Sequence, residues 1–356
     1  MRILITGICG FVGSRLANFL IDSLEGLHLF GIDNLVRPGS EMNLEFLRHL
    51  GVQVLHGDLR MASDVNALPK VDWVIDAAAN PSVLAGVDGK SSSRQLLEHN
   101  LLGTINLLEY CRSCIAGLVL LSSSRVYSID PLAHLPVLPR REAFELNTSA
   151  ASCQGVSAAG LSEAFPVEPP LSLYGSTKRA SELLAIEYSA TFGFPAWIIR
   201  CGVLAGAGQF GTAEQGIFSY WLHAHAARLP LRYIGFGGRG YQVRDAFHPV
   251  DLGILICKQI QHHIQTGSCI LNAGGGASNA MSLAQLTAWC NDRFGTHTPS
   301  SDLSDRRFDV PWLVMDSTRA NTEFGWNITH TLPSILDEIA EHVETHPDWL
   351  RRCAVI

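Results

Sequence analysis

A doubly wound α/β fold, joined to a smaller α/β lobe towards the C-terminus, is the architecture this sequence predicts. Three observations lead there. Over about the first 200 residues, short runs that are apolar throughout alternate with longer amphipathic segments. Strands apolar on both faces belong to parallel sheets covered by helices on either side, and a βαβα rhythm winds such sheets. A glycine-spaced turn, "GICGFVG", separates the first apolar run from the first helical one. After about Gly202 the rhythm breaks into loops, short strands and helices of a different order.

In chain order, the strands are expected at Arg2–Thr6, Leu27–Asp33, Val52–His56, Trp73–Ala78, Gly117–Ser123 and Ala196–Cys201. Between them, "FVGSRLANFLIDSL", "SSRQLLEHNLLGTINLLEYCR" and "SLYGSTKRASELLAIEYSATF" repeat apolar residues at helical spacing. Ser128–Pro170, rich in Pro, Ala and Ser, reads as one long connection, functional or mobile. Beyond Gly202, "LAGAGQFGTAEQG" reads as a loop and "IFSYWLHAHAARL" as a helix. "LRYIG" and "YQVRDAF" read as strands and "VDLGILICKQIQ" as a helix. Ser268–Gly276 reads as a strand and loop returning to the sheet, and helices follow near Ser282–Arg293, Ser317–Phe324 and Leu332–Glu344. This divides the chain into a nucleotide-binding domain, 1–200 with 245–274, and a second lobe, 201–244 with 275–356.

The 356 residues are 47% hydrophobic and 17% charged, enough for a substantial core, and the net charge is −7. No basic block suits a nucleic-acid backbone, and no apolar run approaches a membrane span. The N-terminus shows no secretory signal. Nine cysteines, odd in number and irregularly spaced, fit reduced thiols in a cytoplasmic protein. Cys111 and Cys114 have CxxC spacing, but they sit in a helical pattern with no second pair, so packing is expected rather than metal or redox work. The 14 histidines include "HAH" (His223, His225) and "HHIQ" (His262, His263), neither with a matched acid or third ligand, so no metal is expected.

Gly7, Gly10 and Gly13 follow the first strand and open a helix, as a turn must where backbone approaches a pyrophosphate. Asp33 closes the second strand, placed for the adenosine ribose hydroxyls and against a 2′-phosphate. NAD is therefore the expected cofactor rather than NADP, with Arg37 the nearby residue that opposes this preference. Asp58, in "GDLR", is read either as a contact to the adenine amine or as a helix cap. The fold expected is thus Rossmann-like.

"YGSTK" puts Tyr174 and Lys178 on one helix face, and "LLSSSRVYS" ends the fifth strand. In a doubly wound fold both reach the carboxyl edge of the sheet, beside a nicotinamide. A phenol has a free pKa of about 10; an ammonium and a positive nicotinamide favour its phenolate, which then serves as a base. A serine hydroxyl completes the set by stabilising the oxygen that loses its proton.

GxxGxxG followed by YxxxK resembles the extended short-chain dehydrogenase/reductase family, and the resemblance covers nearly the whole chain. "GQFGTAEQG" (Gly208–Gly216), "YQVRD..H..D" (Tyr241–Asp251) and "VLHGD" are most similar to its nucleotide-sugar branch, in particular CDP-paratose (CDP-tyvelose) 2-epimerases. By that resemblance the triad serine lies four residues before Tyr127, at Ser123, with Ser122 or Ser124 as substitutes if the strand ends differently. The dehydratases and decarboxylases of the family carry acids just after that serine. Ser124 and Arg125 stand there instead, which removes the proton donor for elimination and leaves epimerisation through a keto-sugar.

Around the cofactor the residues expected, besides the glycines, Asp33 and Asp58, are Phe11, Val12, Asn34, Leu59, Ala77, Ala78, Ala79, Asn100, Ser122, Tyr174, Lys178 and Cys201. The resemblance implies that Gln209, Phe210 and Gln215 line the nucleotide pocket and that Arg244 holds the diphosphate, unless Arg244 pairs structurally with Asp245. Arg125 joins them at the substrate. Pro311 occupies a place where the tyvelose enzyme has arginine, a role left to Arg306 or Arg307.

The implied substrate is a CDP- or UDP-linked sugar, inverted at C2 or C4. The alternatives are a 4-epimerase or decarboxylase of a UDP-linked sugar acid, and a non-catalytic NAD-binding scaffold. Ser91–Arg112 and Leu173–Phe192 resemble the helices that pair between subunits in the family, implying a homodimer.

Overall fold

The computed structural model describes residues 1–87, 89, 91–262 and 267–353. Seven parallel strands form the central sheet: β1 (Arg2–Thr6), β2 (His28–Asp33), β3 (Gln53–His56), β4 (Trp73–Asp76), β5 (Gly117–Ser123), β6 (Pro195–Cys201) and β7 (Gly267–Ala273). Their order across the sheet is 7-6-5-4-1-2-3, so the winding reverses between β1 and β4. Ile5 of β1 stands opposite Gly31 of β2 on one side and Ile75 of β4 on the other.

Side-chain alternation explains why these strands read as apolar throughout. Ile3 and Ile5 point to one face and join Leu16 and Leu20 of helix α1 (Phe11–Ser23). Leu4, between them, points to the other face and joins Leu107 and Leu108 of helix α2 (Gly103–Cys114), with Ala185 of helix α3 (Leu173–Phe192). All three β1 residues are fully buried; truncating one to alanine costs about 2–5 kcal/mol. β5 and β6 repeat the pattern, Val119 and Ile199 on the first face, Leu120 and Ile198 on the second.

Past β6 the chain builds a second layer system. Helices α4 (Ile217–Ala226), α6 (Leu283–Phe294) and α7 (Leu332–Thr345) share a separate core around Trp221, Leu286 and Ile339. A small sheet joins Val203–Leu204, Val243–Phe247, Ala280–Ser282 and Trp312–Leu313. The chain then re-enters the main sheet: helix α5 (Pro249–Gln261) covers the α1 face, and β7 pairs with β6 from Pro195↔Gly267 to Cys201↔Ala273.

The connection 128–170 is not an open loop. It forms a short helix, Ile129–Ala133, and two hairpins, Val137–Arg140 with Ala143–Leu146 and Val156–Ser157 with Gly160–Leu161. Its apolar residues Leu132, Leu161 and Phe165 bury against Val310, Leu313 and Met315. Those contacts lie far along the chain, so local composition gave no sign of them. Two short helices, Asn43–His49 and Ala62–Asn66, and a π-helical turn at Glu98–Leu102 were likewise absent from the sequence reading. No described helix is long and apolar enough to cross a membrane.

Candidate active site

At the carboxyl edge, where the winding reverses, a cavity of about 970 Å³ opens between the sheet and the second lobe. Its cofactor half starts at the glycine turn. Gly7 has φ +60°, and a Cβ there would lie 2.9 Å from Ala78 Cα. A Cβ on Gly13 would lie 2.3 Å from the Gly7 carbonyl. The turn therefore folds tightly onto itself and onto the end of β4, leaving the first turn of α1 facing the cavity, as an anionic pyrophosphate requires. Asp33 accepts the Cys9 amide (2.9 Å) and the Leu35 amide (2.8 Å). Burial raises its pKa, and those amides act against the rise. The residues present thus fit a dinucleotide.

The helix-cap reading of Asp58 does not hold. Its carboxylate is taken by the Arg60 backbone amide (2.9 Å) and guanidinium (2.6 Å) and by Asn34 Nδ2 (3.1 Å). Those hydrogen bonds, Arg60's foremost, hold it well below the usual carboxylate range. The helix that follows is capped at Met61, so Asp58 is not its cap; it lines the cavity beside Leu59. Asn100 is the one expected cofactor residue that does not line the cavity. It sits in the π-helical turn with its amide fully spent, accepting from the Asn80 amide (2.8 Å) and donating to the Asn80 carbonyl (3.0 Å) and Thr177 Oγ1 (3.2 Å). It braces the wall from one layer behind.

The tyrosine–lysine pair is positioned by the start of α3. Ser172 caps the helix, its Oγ accepting the Gly175 amide at 3.0 Å. A Cβ on Gly175 would fall 2.1 Å from the Arg125 carbonyl, so this glycine lets the helix abut the end of β5. Tyr174 follows the cap and Lys178 sits one turn on, both lining the cavity. Lys178 Nζ donates to the Leu121 carbonyl at 2.9 Å. Asp76, buried behind, accepts from Thr6 Oγ1 at 2.6 Å; burial raises its pKa, against the charge of Lys178.

All three serines line the cavity, and their hydroxyls differ in what they meet. Ser122 donates its hydroxyl to Glu182 Oε1 at 2.6 Å. Ser124 is buried in a 3₁₀ turn. Ser123 Oγ accepts the Arg125 amide at 3.2 Å, and this half-buried side chain lines the cavity. Ser123 faces Cys201 across the β5–β6 register, where burial pushes the Cys201 thiol up to about 12. That thiol is inert as a nucleophile.

The substrate half presents a cluster of cations. Arg244 pairs with Asp309 at 2.7 Å and donates to the Val310 carbonyl at 2.9 Å. It does not pair with Asp245, because adjacent strand residues point to opposite faces. Asp245 instead accepts the Gly276 amide (3.0 Å) and the Met315 amide (3.3 Å), and burial pushes its pKa up to about 6. Arg125 Nη1 donates to the Phe308 carbonyl at 3.1 Å; burial first, then the charge of Arg244, pulls its pKa down to about 10. Arg306 reaches the Ala213 carbonyl at 3.0 Å, and Arg307 lies over the Phe308 ring at 5.0 Å. All four arginines, with Gln209, Phe210 and Gln215, line the cavity.

A family model, that of the NAD dependent epimerase/dehydratase family, matches residues 3–274. The chain belongs to this family. Among its relatives, the CDP-paratose 2-epimerase of Salmonella typhi is 27% identical over 336 residues, covering 92% of this chain and 94% of that one. The UDP-glucuronate 4-epimerase of Thermodesulfobacterium geofontis is 24% identical over 333 residues, covering 91% and 90%. A solved structure of the UDP-glucuronic acid 4-epimerase of Bacillus cereus, in complex with UDP-glucuronic acid and NAD, superposes with a TM-score of 0.77. It is 22% identical and covers 97% of this chain and 99% of that one, a likeness of fold. The cofactor of this family member is NAD.

Residues that the sequence reading passed over complete the site of this epimerase/dehydratase. Asp309 neutralises Arg244, and Gln242 donates to Asp309 Oδ2 at 3.2 Å. "RRFD" carried the one available signal for Asp309, an acid beside two arginines in a loop. Cys111 and Cys114 lie one turn apart on α2, and burial raises the Cys111 pKa far above the ordinary thiol. His223 donates from Nδ1 to the Ser219 carbonyl (2.9 Å) and meets His342 Nδ1 at 3.2 Å, with burial pulling its pKa down to about 4. His262 packs edge-on against Trp197, and His263 lies outside the described residues. Among the described residues no three His, Cys, Asp or Glu side chains group as a metal site.

Proposed function

We propose that this NAD-dependent sugar-nucleotide epimerase inverts C2 of a CDP-linked sugar through a transient ketone. The observation that carries the reading is the meeting of Tyr174, Lys178 and Ser123 in the cavity that the glycine turn opens, with Ser124 and Arg125 in place of acids beyond the serine. Tyr174, as phenolate, takes the proton of one sugar hydroxyl. Lys178, anchored on the Leu121 carbonyl, holds the phenolate by its positive charge. Ser123 donates its hydroxyl proton to the same sugar oxygen, stabilising the charge that develops there. Bound NAD supplies the hydride acceptor and, after the sugar turns, the hydride donor. Tyr174 then returns the proton, and no net oxidation results. The Gly7–Gly13 turn and Asp33 would hold the dinucleotide. Arg244, Arg306 and Arg307 would hold the diphosphate. The base would lie among Gln209, Phe210 and Gln215, which line the same cavity.

A second reading, a 4-epimerase of a UDP-linked sugar acid, has an observation of its own. Arg125 lines the cavity beside Ser124, and its guanidinium donates to a neutral carbonyl, Phe308; a carboxylate on the sugar would be a stronger partner.

The test is incubation of the NAD-loaded chain with CDP-paratose, UDP-glucose and UDP-glucuronate in deuterated water, followed by proton NMR. Inversion of CDP-paratose at C2 with no deuterium at the inverted carbon is the expected result. Inversion of UDP-glucuronate at C4 selects the second reading. Release of carbon dioxide from UDP-glucuronate would make the chain a decarboxylase acting through the same ketone, no conversion of any of the three would overturn both substrate readings, and deuterium at the inverted carbon refutes the transient-oxidation scheme.

We also infer a homodimer, supported by the exposed Leu97 and Leu102, in the continuous helical run of Ser93–Leu97 and Glu98–Leu102 that leads into α2, and the exposed Leu183 and Phe192 on α3. Light scattering of Leu183→Glu, expected to be monomeric beside a dimeric wild type, tests it.

A further inference from the structure

Arg37 lies four residues past Asp33, on the cofactor half of the cavity. An arginine there is the natural receptor for a 2′-phosphate, yet its donors go elsewhere. Nη1 donates to Gln215 Oε1 at 2.9 Å, and Nη2 donates to the Phe210 carbonyl. Both acceptors belong to the loop on the substrate side. The chain beyond Arg37 follows it there: Gly39, at φ +91°, lies so near the Phe210 ring that a Cβ would come within 3.1 Å of it. From behind, Trp349 stacks on Phe210 with centroids 5.6 Å apart and donates to the Gln209 carbonyl at 2.9 Å. Burial pulls the Arg37 pKa below its ordinary value, a cost that hydrogen bonds to oxygen offset.

These contacts decide which end of each amide is left unpaired. Arg37 takes the oxygen of Gln215, so Nε2 is left as a donor, and it is buried without a protein partner. The Leu204 carbonyl takes the nitrogen of Gln209 at 2.8 Å, so Oε1 is left as an acceptor, likewise buried without a partner. Neither amide can flip without setting donor against donor or acceptor against acceptor. One free donor and one free acceptor match the edge of a pyrimidine, which carries an acceptor beside a donor. Left unmet, each buried atom costs free energy that a ligand recovers.

We infer that Arg37 is a positioning residue of the nucleotide-sugar subsite, holding the 209–215 loop closed and turning Gln215 Nε2 towards the base of a pyrimidine nucleoside diphosphate. The inference rests on the sugar-nucleotide reading above and deepens it.

Calorimetric titration of the NAD-loaded chain with CDP and with UDP tests it, alongside titrations with NAD and NADP. Arg37→Ala and Gln215→Ala are each expected to weaken whichever nucleotide the wild type binds by about tenfold or more. Affinity for NAD should stay within about twofold of wild type, because these contacts lie on the substrate loop. In turnover the loss should appear in KM with kcat nearly unchanged, the mark of lost ground-state binding. Arg37→Lys should not restore it, since an ammonium lacks the planar fork that meets two oxygens. Weakened NAD or NADP binding in Arg37→Ala, with CDP and UDP unaffected, overturns the inference and makes Arg37 a cofactor residue. Wild-type affinity in Gln215→Ala overturns it as well, and that variant keeps the test open if Arg37→Ala does not fold. Failure of the wild type to bind either nucleotide brings down the sugar-nucleotide reading itself, and the inference with it.

Discussion

Glu182→Gln isolates a buried charge whose cost can be worked from its surroundings. Glu182, fully buried on α3, receives four hydrogen bonds: Ser122 Oγ (2.6 Å), Arg200 Nε (2.9 Å), Arg200 Nη2 (2.8 Å) and Arg179 Nη1 (2.9 Å). Arg200 is 3% exposed and lies over the Tyr127 ring at 5.3 Å. Burial alone would pull the Arg200 pKa down; the hydrogen bonds and charge of Glu182 outweigh it and hold the pKa above its ordinary value. The glutamine is nearly isosteric, but it removes the negative charge and presents an NH₂ where two arginines and a serine need acceptors. Breaking one side of such a pair costs about 3–5 kcal/mol. In a chain of this size that lowers Tm by roughly 4–7 °C. Replacing the pair together, Glu182→Leu with Arg200→Met, should recover part of the loss, because the fully buried Arg200 charge is then gone and only Arg179, one-quarter exposed, and the Ser122 hydroxyl lose their partner. Thermal and urea unfolding of the three proteins is the assay. A Glu182→Gln loss below about 1 kcal/mol, the range of an exposed pair, or a double variant worse than the single one, would refute the reasoning.

Four further outcomes are expected. Tyr174→Phe should cut kcat by about 10²–10⁴, the range for a lost acid–base group, with NAD affinity nearly unchanged; Ser123→Ala should fall well below Ser122→Ala in kcat, and the reverse order would move the triad to Ser122. Gly13→Ala places a Cβ 2.3 Å from the Gly7 carbonyl, so calorimetry should find NAD binding lost while circular dichroism keeps the fold; retained affinity would show that the turn can open. For Asp245, the folded pKa of about 6 lies above the carboxylate's ordinary value, so the folded state binds the extra proton and stability falls as pH rises from about 4 to about 6. Asp245→Asn removes that charge, and should raise Tm at pH 7.5 by more than at pH 4; an equal change at both would mean that ionisation is not the cost.

The sheet was legible because each of its strands announces itself locally. Runs such as "RILIT" and "GLVLLSS" are apolar on both faces, and their alternating burial on two helical layers is the direct counterpart. Gly7, Gly13 and Asp33 were legible because a tight turn at a strand end admits few residue types. Tyr174 and Lys178 were legible because helical spacing alone puts them on one face. Asn100 stands outside the cavity lining, in a π-helical turn that no local propensity marks. The cover at 128–170 was misread for a related reason: its order comes from Val310 to Met315, far away in sequence.

By itself, then, the order of residues determined what repeats locally: the strands, their burial on two faces, the glycine turn and the tyrosine–lysine pair. Only the tertiary structure decided which groups are spent on one another. It took Ser122 for Glu182, gave Arg244 to Asp309 rather than to Asp245, and sent Arg37 across the cavity to Gln215. A hydrogen bond has one donor and one acceptor, and which pair meets depends on distances between segments that the chain brings together only when it folds.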